Sequence, residues 1–286
     1  MGIFSRSWEV TKLTFSIMKK EKELFIFPIL SFIFSLLFIV SILFPSIIIF
    51  FIRGESVIWG GIEYLLVFLT YLGLVFIATF FNVCVVYTSA NYFGKQEARF
   101  WKTIKFALSR IHVILLWSIV AATVGLILNI LEEIARKTKG VGKIVILITT
   151  NLLGMAWAIV TIFVVPGLVY KNLGPFAAIK QSASVLRKTW GESLVKFFGM
   201  GIVSFLFIIL GFVIGIPILF LVSTLGIIWI LIVIGLGFIY MLSVVLIFSV
   251  ANKIFDTALY VYAETGVVPG PYNKEIMKNA FKAIPK

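Results

Sequence analysis

The sequence predicts an all-α membrane protein. About six transmembrane helices are expected, with cytoplasmic amphipathic interface helices, arranged as three repeats of interface helix plus transmembrane hairpin. Three observations carry this. First, 61% of the 286 residues are hydrophobic and only 13% charged, with mean hydropathy +1.13, whereas a water-exposed shell needs about twice that charge. Second, apolar runs free of Lys, Arg, Asp and Glu recur, each long enough to cross ~30 Å of hydrocarbon at ~1.5 Å per helical residue. They lack the alternation of membrane strands, so helices are preferred over a barrel. Third, basic amphipathic stretches precede the apolar hairpins.

In chain order, residues 3–23 form the first interface helix. Phe4, Trp8, Phe15 and Met18 share a face with Thr11, while Arg6, Lys12 and Lys19 lie elsewhere and Leu13 falls on the wrong side. The first span is 24–52, with Pro28 and Pro45 near its ends. A short Gly-containing connection leads to the second span, 62–93. Residues 95–110 form the second interface helix, with Phe100, Ile104, Ala107 and Ile111 at helical spacing. Spans three and four are 111–131 and 144–170, joined by a charged segment, Glu132 to Lys139.

The third interface helix, 175–190, has the clearest pattern. Phe176, Ile179, Ala183, Leu186 and Trp190 form one stripe, and Lys180, Ser184, Arg187 and Lys188 fall off it. Its oily face is expected in the membrane surface and Lys180, Arg187 and Lys188 among lipid phosphates. Thr189-Trp190-Gly191-Glu192 fits a capping box, Thr189 capping the next span and Glu192 returning a bond to its backbone. Spans five and six are 194–221 and 227–250, joined by a tight hairpin at Ser223 to Gly226. A closing helix, 251–264, completes one polytopic domain, 1–264. Residues 265–286 are expected to be a cytoplasmic tail.

Twenty of the 25 Lys and Arg fall on the side of the termini, which places both termini and the interface helices in the cytoplasm and the protein in the cell membrane. The net charge of +13 is assigned to lipid headgroups and topology, not to nucleic acid. Cys84 is the only cysteine, so no disulfide forms within one chain and no cysteine zinc cluster is available. Residues 1–23 lack the apolar core of a signal peptide.

The repeats align weakly in sequence: Lys12–Lys20 with Lys180–Lys188, and Ile104-Lys105 with Ile179-Lys180. Within the spans the polar set is Asn82, Asn129 and Asn151, with Ser118 on the stripe of Asn129. One reading is a polar-lined pocket between spans two, three and four. The other, favoured, is close helix packing with asparagines bonding across the interface, each bond worth ~0.6 to 2 kcal/mol. No acidic or basic residue lies deep in a span, which argues against proton relay. Gly211 and Gly215 form a GxxxG pattern that marks a helix contact within or between chains. His112, the lone histidine, reads as an interfacial packing residue, and Glu132-Glu133 beside Arg136-Lys137 as a solvated helix end. No phosphate loop, serine elbow or nucleophile with a base is found.

Several local patterns resemble an uncharacterised family of bacterial and archaeal multi-pass membrane proteins, a domain of unknown function. They are Ser7-Trp8, Lys22-Glu23-Leu24 with Pro28, Phe80-Phe81-Asn82, Leu131-Glu132-Glu133, Ala156-Trp157, Val164-Val165-Pro166, Thr189 to Glu192 and Ala258-Leu259-Tyr260. The resemblance implies a cytoplasmic-membrane protein and supplies no activity. More loosely, the layout is similar to the membrane domain attached to some glycerophosphodiester phosphodiesterases; no hydrolase domain is present, so no catalytic residue carries over.

The expected function is therefore a non-enzymatic membrane component that organises lipid, in particular anionic headgroups, or a partner protein or second copy, through its basic surface helices. The alternative is a channel or carrier for a small or lipid-like solute along the Asn82, Asn129 and Asn151 face. No cofactor and no metal are expected.

Overall fold

The computed structural model describes residues 3–53, 61–190 and 199–278, and the side chains of 7–44, 65–188 and 200–278. Those residues form α-helices joined by short connections, with no strand among them. The elements are α1 (Ile3–Lys20), α2 (Glu23–Arg53), α3 (Gly61–Phe93), α4 (Phe100–Ser109), α5 (Ile111–Lys137), α6 (Val141–Val160), α7 (Val164–Lys171), α8 (Pro175–Trp190), α9 (Gly199–Val222), α10 (Ile227–Thr265) and α11 (Lys274–Lys278). Six segments are long and apolar enough to cross a membrane: Glu23–Phe44, Leu65–Phe93, Ile111–Lys137, Val141–Lys171, Met200–Leu225 and Ile227–Thr265. The capping box expected at Thr189 and Glu192 lies outside the described side chains.

The spans pair as three antiparallel hairpins: α2 with α3, α5 with α6, and α9 with α10. The second limbs of the three hairpins, α3, α7 and α10, meet one another in the middle, and the first limbs pack outside them. The short helices follow a cyclic rule. Each packs on the hairpin of a different repeat: α1 on α9 and α10, α4 on α3, and α8 on α6 and α7. Phe100 of α4 also stacks on Phe27 of α2, 5.7 Å between centroids.

Burial is concentrated at one end of this bundle, the basal end, which carries α1, α4, α8 and α11. There Ile17, Met18, Leu24, Phe27, Phe163, Leu186, Ile254, Phe255, Leu259 and Tyr260 are buried in a single cluster, apart from a small group around Trp117. Along the rest of the spans large apolar side chains stay exposed, as at Leu37, Val213, Phe220 and Ile228. Lipid solvates such surface as well as protein does, so the spans need only close packing. Helix ends that emerge into water must bury their apolar side chains against protein, at ~25 cal/mol per Å².

Three boundaries differ from the sequence reading. The sixth span and the closing helix are one helix, α10, of 39 residues, ~58 Å long and well beyond the ~30 Å of a hydrocarbon core. From Met241 to Thr265 no Gly or Pro interrupts it; Gly266, at φ 70°, ends it in the left-handed region and donates its N–H to Tyr262. The fourth span is instead broken after Val160. The Thr161 hydroxyl bonds back to the Trp157 carbonyl at 2.8 Å, and Pro166, with no N–H to give, fits only in the first turn of a new helix. Finally, part of the expected tail belongs to the core: Tyr272, Ile276 and Met277 are buried, and Asn273 caps α11 by accepting the Ile276 N–H at 2.7 Å.

Candidate functional site: a cation-bearing belt and an intramembrane cleft

The three short helices repeat one another in register. Counted from Lys12, Lys105 and Lys180, the residue two places before is buried in each (Val10, Thr103, Ala178), and so is the residue two places after (Thr14, Ala107, Ser182). In the longer α1 and α8 the match extends further: Ser7 and Pro175 five before, Ile17 and Val185 five after, Met18 and Leu186 six after. This buried stripe is rotated from the one read in the sequence. Phe176 and Trp8, expected on apolar faces, are 76% and 58% exposed. Small side chains such as Ala178 and Ser182 admit a close neighbouring helix, and the bulky ring of Phe176 does not, so the inner wall forms on the small residues.

Polar atoms on the inner wall are used. Thr11 and Thr14 bond back to the carbonyls of Ser7 and Val10, and the Thr14 hydroxyl also pairs with Tyr272 Oη at 2.8 Å. Thr103 faces Thr88 of α3 at 3.3 Å. Ser182 Oγ accepts the N–H of Phe163 at the break between α6 and α7. Glu264 near the end of α10 joins two further elements, pairing with Lys171 at 2.5 Å and accepting from Gln181 at 2.6 Å.

The outer wall carries the cations. In every short helix an exposed aromatic residue sits four places before an exposed lysine: Trp8 and Lys12, Trp101 and Lys105, Phe176 and Lys180. Residues four apart share a helix face. Arg187 and Lys188 on α8, Lys102 on α4 and Lys19 and Lys20 on α1 are exposed as well. Among the described residues none of these cations lies within 4.0 Å of a carboxylate; the ion pairs there involve Arg99, Arg136, Lys137, Lys171 and Lys253. A small acidic group interrupts the belt where α1 meets α2: burial, then the carboxylates of Glu23 and Glu97, raises the Glu21 carboxyl above its ordinary range.

Of the four polar residues expected on one intramembrane face, the structure distributes the set. Ser118 is buried and bonds back to Ile114 at 2.7 Å. Asn129 and Asn151 are exposed on α5 and α6. Asn82 turns toward α2 and α10, where it lines a half-open cleft of about 220 Å³ with Ser31, Ser35 and Ser249. Sequence reasoning missed this grouping because the serines lie on spans one and six, which helical spacing alone does not bring beside span two. The signal available was Ser31 and Ser35, one turn apart on one face of α2. Trp117 and Trp157 pack inside the bundle, stacked at 5.9 Å and 12°. Gly211 lies under Tyr240 of α10, 2.4 Å from where a Cβ would sit, so this glycine serves a contact within the chain, while Gly215 has nothing within 4 Å. His112 is exposed. No group of three or more His, Cys, Asp or Glu that could hold a metal ion occurs among the described residues.

Three packed hairpins with lipid-solvated outer faces define an all-α, multi-pass membrane protein. The chain belongs to the family of unknown function DUF6159, which matches residues 61–270. No curated protein and no solved structure matches it.

Proposed function

We propose that the protein is a non-enzymatic component of the cytoplasmic membrane that organises anionic phospholipid around its basal end. The observation that supports this is the repeated outer wall: Trp8 with Lys12, Trp101 with Lys105, and Phe176 with Lys180, each fixed outward because the opposite wall of its helix is held against a hairpin. An aromatic ring favours the boundary between chains and headgroups, and an unpaired cation beside it meets the phosphate layer. Each basic residue near an anionic surface contributes ~1 kcal/mol, and each of the three short helices carries two or three exposed ones. The excess of Lys and Arg at this end supports a cytoplasmic side for it and for both termini.

Lipid retained by the purified protein tests the reading. Protein reconstituted in equal phosphatidylglycerol and phosphatidylethanolamine is expected to keep phosphatidylglycerol selectively in native mass spectra. Replacing Lys180, Arg187 and Lys188 together with Gln should weaken that retention about a hundredfold. Equal retention of the two lipids by the unaltered protein would remove the proposal.

A further inference from the structure

We infer that the cleft between α2, α3 and α10 binds the head ring of a neutral, carbonyl-bearing membrane lipid of the isoprenoid-quinone class. The cleft is lined by Ser31 and Ser35 of α2, Asn82 of α3 and Ser249 of α10, with Phe32 and Phe81 among its apolar walls. Several serines and threonines of the bundle return their hydroxyls to the preceding turn, as Ser89 does to Val85 and Ser118 to Ile114, although Thr150 Oγ1 is buried without a partner. The three cleft serines and Asn82 have no protein partner for their side chains among the described residues. In hydrocarbon such groups are satisfied by a ligand or by water held with one.

Charge and shape select the ligand. Ser31 and Ser35 stand eight and twelve residues into α2 from Glu23, and Asn82 eleven residues before the end of α3 at Phe93, so the cleft lies ~12 to 18 Å along the spans from the basal helix ends. No charged side chain lines the cleft, which leaves a charged headgroup uncompensated there. A flat neutral ring fits: its carbonyls accept from the Asn82 amide and the serine hydroxyls, its faces meet Phe32 and Phe81, and its tail leaves through the open side into the bilayer.

The test is equilibrium binding of menaquinone-4 to the full chain in nanodiscs, counted as quinone retained per protein above empty discs, with 1,2-dioleoylglycerol as the contrasting neutral lipid. The expected result is saturable binding of one quinone per chain, with no comparable binding of the diacylglycerol. Ser35→Ala should weaken it about tenfold through loss of a hydrogen bond. Ser249→Phe, which fills the cleft while staying compatible with lipid, should abolish it. Thermal midpoints of both variants near that of the unaltered protein establish that they fold. Quinone uptake no greater than in empty discs would overturn the inference, as would uptake unchanged in Ser249→Phe or equal saturable binding of the diacylglycerol.

Discussion

Ser182 Oγ accepts the backbone N–H of Phe163 at 3.1 Å, a bond that ties α8 to the break in the fourth span. Where α6 stops and α7 starts, backbone N–H groups lose their usual partners, and a buried donor left without one is costly. The third short helix supplies the acceptor from the same wall that faces away from its cations.

Ser182→Ala removes that acceptor and is expected to destabilise the fold by about 1 to 3 kcal/mol. Ser182→Thr, which keeps the hydroxyl, should retain most of the stability. Thermal unfolding in detergent, compared across the three proteins, checks this.

Tyr272→Phe removes the pair with Thr14 Oγ1 at 2.8 Å, and Thr14 keeps its bond to the Val10 carbonyl. A loss of about 1 kcal/mol is expected at neutral pH. Burial pushes the Tyr272 phenol above its ordinary value of 10.0, so the folded state favours the neutral form. Its contribution is complete below that value and declines as pH rises through it. The advantage of the unaltered protein over Tyr272→Phe should therefore shrink above pH ~10.

Glu21→Gln is expected to stabilise the protein modestly at neutral pH. The Glu21 carboxyl is raised above 4.5 by burial and by Glu23 and Glu97, so its folded-state preference is for the protonated form. Stability associated with it is complete below the unfolded value and is lost as pH rises through the folded one. The gain from Gln should vanish on acidification below ~4.5, a trend read from midpoints at several pH values.

Gly211→Leu should drive the Tyr240 ring off α9 and break the bond from Tyr240 Oη to the Phe207 carbonyl, 2.7 Å long. Overpacking of this kind destabilises by about 1 to 3 kcal/mol. Gly215→Leu, at a site with nothing within 4 Å, should leave the midpoint unchanged.

The spans were legible in the sequence because hydrocarbon imposes a length and excludes charge, which marks the apolar runs that start at Leu24 and Ile111. The short helices were legible as elements but not in their orientation. A periodic pattern finds the apolar side of α8 through Phe176 and Ile179, yet packing selected Ala178 and Ser182 for the inner wall because of their size. Continuity of α10 past Val250 was hidden by the change from apolar to mixed composition at Asn252 and Lys253. The cleft joins Ser31 to Ser249 across 218 positions of chain, a neighbourhood set by the packing of three hairpins.

Trp8, Trp101 and Phe176 are expected to present equivalent faces of one belt to the headgroup layer. Spin labels placed singly by Trp8→Cys, Trp101→Cys and Phe176→Cys in a Cys84→Ala background measure it through accessibility to oxygen and to a water-soluble relaxant in phosphatidylglycerol-containing bilayers. All three labels are expected to report the same depth, at the boundary between chains and headgroups. Labels freely accessible from water, or at three unrelated depths, would contradict it.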